Sequence, residues 1–154
     1  MVLSCISMNS FRHRCPIRVR PSDLDSLCHV NNAVYFTYLE MARTDYWKHV
    51  FGAEREVRDD IILARAEVDY RAQATNDHDL NVAIRVSRIG TSSFEFRYTV
   101  VQEETDLLVA EGRSVQVMFD YPNNRTIPIP EAVKQRMLEF EGRNIIVDGR
   151  DDGA

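Results

Sequence analysis

The chain lacks any apolar run near the ~20 residues that a membrane-crossing helix requires, carries no excess of basic residues, and has only three cysteines in 154 residues. It also shows no internal repeat and no low-complexity segment. Each shortage excludes a class. Without a spanning stretch, no membrane partner is expected. The 24 acidic and 19 basic side chains leave a formal net charge of -5, which excludes a general nucleic-acid binder, because such proteins present a basic surface to phosphates. A small anionic ligand stays open, since a few local arginines suffice for one. Cys5, Cys15 and Cys28 are odd in number and share no metal-ligand spacing, so a reduced, cytoplasmic setting is expected and no metal site.

The first 22 residues contain no acid and include Arg12, Arg14, Arg18 and Arg20, in the manner of a transit peptide. An alternating run already begins near Pro16, however, and leaves little to remove. Val2-Leu3-Ser4-Cys5 suits a lipoprotein cleavage box but lacks the basic and apolar stretches that precede one. Residues 1–14 therefore read as a flexible lead-in, 15–142 as one domain and 143–154 as a polar tail. A domain of this size, in a chain with 44% hydrophobic residues, buries a sizeable core without staples.

What is there is organised around residues 20–47. Pro21 and the polar run 22–25 stop the preceding segment. Asn31 or Asn32 is the expected N-cap, its short side-chain carbonyl accepting from the first free helix N–H groups. From Ala33 onward, Val34, Tyr35, Tyr38, Leu39, Met41, Ala42 and Tyr46 place apolar groups on most of the helix circumference, which predicts a buried helix. Residues 32–48 would span roughly 25 Å, with Gly52 as the natural C′ residue. Residues 54–60 form a charged connector.

Five segments read as strands. Residues 15–20 alternate briefly, and 61–74 alternate most clearly, with Ala64, Ala66, Val68, Tyr70, Ala72 and Ala74 on one face that a bulky helix can approach. Residues 80–89, 93–103 and 108–119 follow, the last with Gly112 as a candidate bulge. Tight turns join the last four, so the sheet is expected to be antiparallel. A short amphipathic helix over 131–142 closes the domain. The class is α+β, and a single sheet leaves an all-round apolar helix partly uncovered, for which a second copy of the chain is the economical cover.

The run from Asp23 to Tyr35, DLDSLCHVNNAVY, continuing to Glu40-Met41-Ala42-Arg43, resembles the signature of hotdog-fold acyl-CoA thioesterases of the 4-hydroxybenzoyl-CoA thioesterase type. The later stretches 110–120 and 127–130 are similar to that family's final strand and closing segment. The resemblance implies a curved five-stranded antiparallel sheet wrapped around one long central helix. It implies a homodimer or homotetramer with active sites at the subunit interface, acting on acyl-CoA or on an acyl-carrier-protein thioester. Coenzyme A is then part of the substrate and no separate cofactor is expected. By motif position, Asp25 matches the catalytic carboxylate and Asn32 the residue whose backbone N–H binds the thioester oxygen. The family often has glycine immediately before the histidine, where this chain has Cys28; a demand for φ > 0 there would strain a cysteine.

Each residue also has a plainer reading. An aspartate before a helix is most often a turn or capping residue, and Asp23 is left in that role. A thioester carbonyl needs a carboxylate to attack it or activate water, and fixed donors for the developing oxyanion. Asp25 lies seven residues before Asn32, a spacing that permits both in one pocket. His29 is expected to order the turn by hydrogen bonding, and Asn31 to cap the helix. Glu40 and Arg43, i and i+3, suggest an ion pair; Glu40 is the reserve acid, since some members of the family place theirs on the helix. Arg88, Gly90, Thr91 and Ser92 form the candidate site for the coenzyme's phosphates, against an ordinary hairpin turn. Asp23, Asp25, His29, Asp77, His78 and Asp79 show no established metal spacing. Two other functions compete. A hotdog acyl-CoA hydratase or dehydratase would carry Asp-x-Asn-Pro-x-His, which is missing here. A non-catalytic acyl-CoA-binding dimer would usually append a basic DNA-binding segment.

Overall fold

The computed structural model describes residues 10–52, 60–142 and 145–148. Strand β1 (His13–Ile17) is followed by a single 3-10 turn and helix α1 (Val34–Phe51), and then by β2 (Ile61–Tyr70), β3 (Leu80–Ile89), β4 (Ser93–Gln102) and β5 (Leu108–Asp120). A two-residue strand β6 (Arg125–Thr126), helix α2 (Glu131–Glu141) and a second short strand β7 (Ile146–Val147) complete the chain. The sheet order is β1-β3-β4-β5-β2, with every neighbouring pair antiparallel. The sheet has seven strands rather than five, because β6 pairs with β5 and β7 runs parallel to β3. Two residues are too few to show a period in sequence.

β3 and β4 form the floor of the core. Leu80, Val82, Ile84 and Val86 of β3 and Phe94, Phe96, Tyr98 and Val100 of β4 are all buried, and α1 lies across them. Trp47 stacks on Phe94 and Tyr46 meets Phe96 edge-on. Gly112 is not a bulge. It sits in register between Val68 and Tyr98, and a Cβ there would come within 3.0 Å of Leu39 Cδ1. Its missing side chain is what lets α1 approach the sheet. The irregularities lie at Leu63/Arg65, Val86/Arg88 and Val100/Val101 instead.

Several boundaries move for physical reasons. β1 begins at His13 and stops at Ile17, because Ile17 pairs with Leu80, the first residue of β3, and nothing lies beyond to bond. Pro16 is tolerated in it because β1 lies at the outer side of β3. β2 ends at Tyr70 because the Arg71 and Ala72 N–H groups both turn onto one carbonyl, that of Val109. Of the lead-in, 1–9 lie outside the described residues, while Phe11 is buried and Arg12 donates to the Phe140 carbonyl at 2.7 Å. Of the tail, Asp148 N–H bonds the Ile89 carbonyl just past β7. The charged connector 54–60 falls almost wholly outside the described residues.

Two expectations about burial are corrected. α1 starts at Val34, not Asn32, and buries one face only: Tyr35, Tyr38, Leu39, Ala42, Tyr46, Trp47 and Val50. Phe36, Thr37, Glu40, Met41 and Lys48 form an open face. The small-residue face of β2 is only partly covered, with Ala64 and Tyr70 exposed, Ala66, Val68 and Ala72 half-buried and Ala74 buried. As the last strand of the sheet, β2 has a partner on one side alone, and its opposite edge is open among the described residues. Gly52, at φ 93, ends α1 as expected, its N–H bonding the Lys48 carbonyl. Among the described residues no helix is long and apolar enough to cross a membrane.

Candidate active site

Residues 20–33 fold into a short hairpin laid against the start of α1. Asp25 N–H donates to the His29 carbonyl at 2.8 Å and Asn31 N–H to the Asp23 carbonyl at 2.9 Å, closing a bridge between Leu24 and Val30. Val30 N–H reaches across to the Ala74 carbonyl at 2.8 Å and fastens the hairpin to the chain leaving β2. Cys28 turns the loop at φ 60, the left-handed conformation in which a cysteine is strained. The sequence departure at this position therefore falls where backbone geometry favours glycine.

Asp23 is the hairpin's anchor. Its carboxylate is 3% exposed and accepts from the Arg20 backbone N–H at 3.0 Å, the Arg20 guanidinium at 2.9 Å and the buried Tyr38 hydroxyl at 2.9 Å. Burial alone would raise the Asp23 carboxyl, but these Arg20 and Tyr38 hydrogen bonds hold it below the usual carboxylate range. Burial and the Asp23 carboxylate together push the Tyr38 hydroxyl up. This carboxylate is structural.

Asp25 is placed differently. Its side chain is exposed, and Oδ1 accepts from the Leu27 N–H at 2.8 Å and the His29 N–H at 3.2 Å. Oδ2 has no partner among the described residues. Half of the carboxylate thus fits the turn-forming role, and the other half is unengaged. The His29 imidazole makes no hydrogen bond among the described residues, so the turn is ordered by backbone groups and Asp25 rather than by that ring.

The N-cap position of α1 is Ala33, without a side-chain cap bond, so neither Asn31 nor Asn32 is the N-cap; Asn31 closes the turn just before it. Its Oδ1 accepts from the Ala33 N–H at 2.9 Å and its carbonyl from the Val34 N–H at 2.9 Å. The Asn32 N–H, by contrast, has no acceptor among the described residues, while the Asn32 carbonyl accepts from the Tyr70 hydroxyl at 2.7 Å. An unfilled N–H at the positive end of an 18-residue helix suits a developing negative charge. Tyr70 stands 38 residues from Asn32 in the chain, and no local pattern links the two.

The remaining candidates lie elsewhere. Glu40 and Arg43 do not pair: Arg43 turns inward and donates to the Tyr98 hydroxyl at 3.3 Å. Glu40 instead lines an open groove of about 400 Å³ with Cys15, Met41, Asp45 and Lys48, which does not include Asp25. Arg88 is paired to Asp148 at 2.7 Å. The loop of Gly90, Thr91 and Ser92 is a hairpin turn whose Thr91 and Ser92 carbonyls accept from the Ile129 and Met118 N–H groups. This loop follows the Ile89 end of β3, whereas β1 hands the chain to the polar hairpin opposite Leu80, so the ten residues of β3, about 30 Å, separate them. One chain does not bring them together. Among the described residues no group of three or more His, Cys, Asp or Glu side chains is arranged to hold a metal ion.

Comparison with known proteins gives this geometry its context. YbgC of Escherichia coli O157:H7, an acyl-CoA thioester hydrolase, is 28% identical over 129 residues, covering 82% of this chain and 96% of that protein. YsmA of Bacillus subtilis is also 28% identical over 129 residues, covering 84% and 87%. The crystal structure of a thioesterase from Thermus thermophilus, complexed with coenzyme A and Zn, superposes with a TM-score of 0.78 at 34% identity, covering 87% of this chain and 97% of that one. The sequence pattern of the thioesterase-like superfamily matches residues 19–137, from the segment before the polar hairpin into α2. With that pattern matching well over half of the chain, the chain belongs to the thioesterase-like superfamily.

Proposed function

We propose that this protein hydrolyses acyl-CoA thioesters to a carboxylic acid and coenzyme A, with Asp25 as the reacting carboxylate and the Asn32 backbone N–H as oxyanion donor. One observation carries the assignment. A single small hairpin presents a carboxylate oxygen, Asp25 Oδ2, and a helix-terminal amide, Asn32 N–H, both without partners among the described residues. The Leu27 and His29 amides hold Oδ1 and so orient Oδ2. As a general base, Asp25 takes a proton from a water that adds to the thioester carbon. The carbonyl oxygen then carries the negative charge, stabilised by the Asn32 N–H and the positive end of α1. Collapse breaks the C–S bond, and the departing thiolate takes the proton back from Asp25. As a nucleophile, Oδ2 adds directly, the thiolate leaves and is protonated by solvent, and water hydrolyses the mixed anhydride. Both routes reach the same products.

In this reading a second copy completes the site, in a homodimer or homotetramer. The open edge of β2 and the open face of α1 are the surfaces that such a copy would cover. A neighbouring subunit would bring its own loop with Arg88, Gly90, Thr91 and Ser92 to the coenzyme, since the loop of the same chain is a strand length away. The test is a panel of acyl- and aroyl-CoAs, followed by free-thiol release and, separately, by loss of enoyl absorbance. Thiol release that falls about 10²-fold or more in Asp25→Asn is expected. Enoyl loss without thiol release would assign a hydratase instead, and binding with neither would leave a non-catalytic binder.

A further inference from the structure

We infer that Tyr70 is a positioning residue for the oxyanion-binding amide of Asn32. The oxyanion role of the Asn32 N–H is taken from the reading above, whereas the restraint on the Asn32 carbonyl rests on geometry alone. Tyr70 ends β2, and its hydroxyl donates to the Asn32 carbonyl at 2.7 Å. Its ring meets Tyr35 edge-on, with centroids 5.2 Å apart at 73°. Tyr35 is buried and in turn packs on Tyr38, whose hydroxyl bonds Asp23. A ring that is anchored on one side and bonded at its tip has little freedom to swing.

The backbone around Asn32 is held on every side. Asn31 N–H bonds the Asp23 carbonyl, the Asn31 carbonyl accepts from Val34 N–H, and Ala33 N–H bonds Asn31 Oδ1. The fourth restraint, on the Asn32 carbonyl, comes from Tyr70. Only the Asn32 N–H stays open among the described residues. The first three restraints arise within the hairpin and the helix start, and Tyr70 alone ties the following peptide, Asn32–Ala33, to the sheet, so it acts on the Asn32 N–H through the Asn32 backbone angles. An amide stabilises a developing charge only if it is aimed at where the charge appears. Without the Tyr70 hydroxyl, the peptide joining Asn32 to Ala33 is held at its Ala33 N–H end but not at its carbonyl end. Tyr70 touches neither substrate nor reacting atom in this account. Its loss should lower kcat on the order of 10-fold, well short of the ~10²–10³ lost with a direct oxyanion donor.

The test compares wild type, Tyr70→Phe and Tyr121→Phe as full-length protein. Tyr121 is the matched control: its hydroxyl donates to the Ile61 carbonyl at 2.9 Å, at the far end of the same strand. NMR of ¹³C,¹⁵N-labelled protein reads the Asn32 carbonyl shift and the mobility of the Asn32 amide. Tyr70→Phe should change both, and Tyr121→Phe neither; an unchanged Asn32 in Tyr70→Phe overturns the restraint. In kinetics, Tyr70→Phe should lower kcat about 10-fold with KM within about twofold. Affinity for a trifluoromethyl-ketone analogue of acyl-CoA, which presents an oxyanion, should fall in step with kcat. Affinity for a thioether analogue should not. A kcat and ketone affinity equal to wild type, with the NMR changes present, overturn the positioning role. A wild type that releases no thiol from any acyl-CoA defeats the hydrolase reading instead, and the NMR comparison still decides the restraint.

Discussion

Replacing Asp23 by asparagine tests how the polar hairpin is anchored. The carboxylate takes hydrogen bonds from donors only: Arg20 N–H, the Arg20 guanidinium and the Tyr38 hydroxyl. An asparagine of the same shape keeps one acceptor oxygen for the Arg20 N–H and the Tyr38 hydroxyl, which share Oδ2, and turns its NH₂ group toward the guanidinium. The Arg20 backbone N–H then bonds a neutral amide oxygen in place of a carboxylate, which removes roughly 1 kcal/mol. Replacing the charged acceptor of the buried Tyr38 hydroxyl by a neutral group removes roughly another 1 kcal/mol. The Arg20 guanidinium is largely exposed, so its Coulomb attraction is screened by water and carries no weight here. The loss is then about 2 kcal/mol, or roughly 4–8 °C in Tm for a chain of this size. The pH dependence supplies an independent check. The folded-state carboxyl of Asp23 lies below its unfolded value, so its stabilisation is full above the unfolded pKa, about 3.9. That stabilisation is lost as pH falls through the folded value. The gap between wild type and Asp23→Asn should therefore be widest at neutral pH and close in acid. Trp47, the sole tryptophan and 2% exposed, reports unfolding by fluorescence in urea, at one fixed protein concentration because assembly shifts apparent stability. An Asp23→Asn protein as stable as wild type at pH 7, or a gap that does not vary down to pH 3, would refute the anchor.

Two further substitutions bear on the hairpin and the coenzyme. Cys28→Gly should stabilise the protein by somewhat less than about 1 kcal/mol, since relief of the φ 60 strain outweighs the added freedom of the unfolded chain; urea unfolding of the two proteins measures it. Arg88→Ala should raise KM for acyl-CoA about tenfold with kcat unchanged, the pattern of lost uniform binding, while KM for the matching acyl-pantetheine, which lacks the nucleotide phosphates, stays constant. An equal rise for both substrates would remove this arginine from the coenzyme site.

What could be read from sequence was what the chain encodes locally. The segment from Asp23 to Asn32 closes its hairpin within ten residues, so its turn chemistry and its family signature stand side by side in the text. β3 matches its expected span of 80–89 because its alternation is bounded by turns at both ends. Burial is another matter, because it depends on strand order, and β1-β3-β4-β5-β2 is set by contacts between distant segments. The alternation of residues 61–74 is the clearest in the sequence, yet β2 lies at the sheet edge and leaves much of that face open. The buried strands β3 and β4 look no different from it in one dimension. Gly112 misled for the same reason, since the Leu39 side chain that needs the space lies 73 residues away.

The site shows the same division between local and distant encoding. Asp25, Asn31 and the Asn32 amide follow from adjacent residues, whereas hydroxyls that bond the Asp23 carboxylate and the Asn32 carbonyl arrive from outside the hairpin. Tyr38 comes from the second turn of α1 and Tyr70 from the last position of β2. A motif therefore specifies the reacting atoms and leaves their precision to the fold, since catalysis depends on where a carboxylate oxygen and an amide point to within fractions of an ångström. The physical consequence is directional. In the proposed mechanism, substitutions of Asp25 should act on the chemical step outright. Those at Tyr38 and Tyr70 should act through orientation, and because Tyr70 stands on the strand whose outer edge is open, whatever covers that edge will also bear on the Asn32 amide.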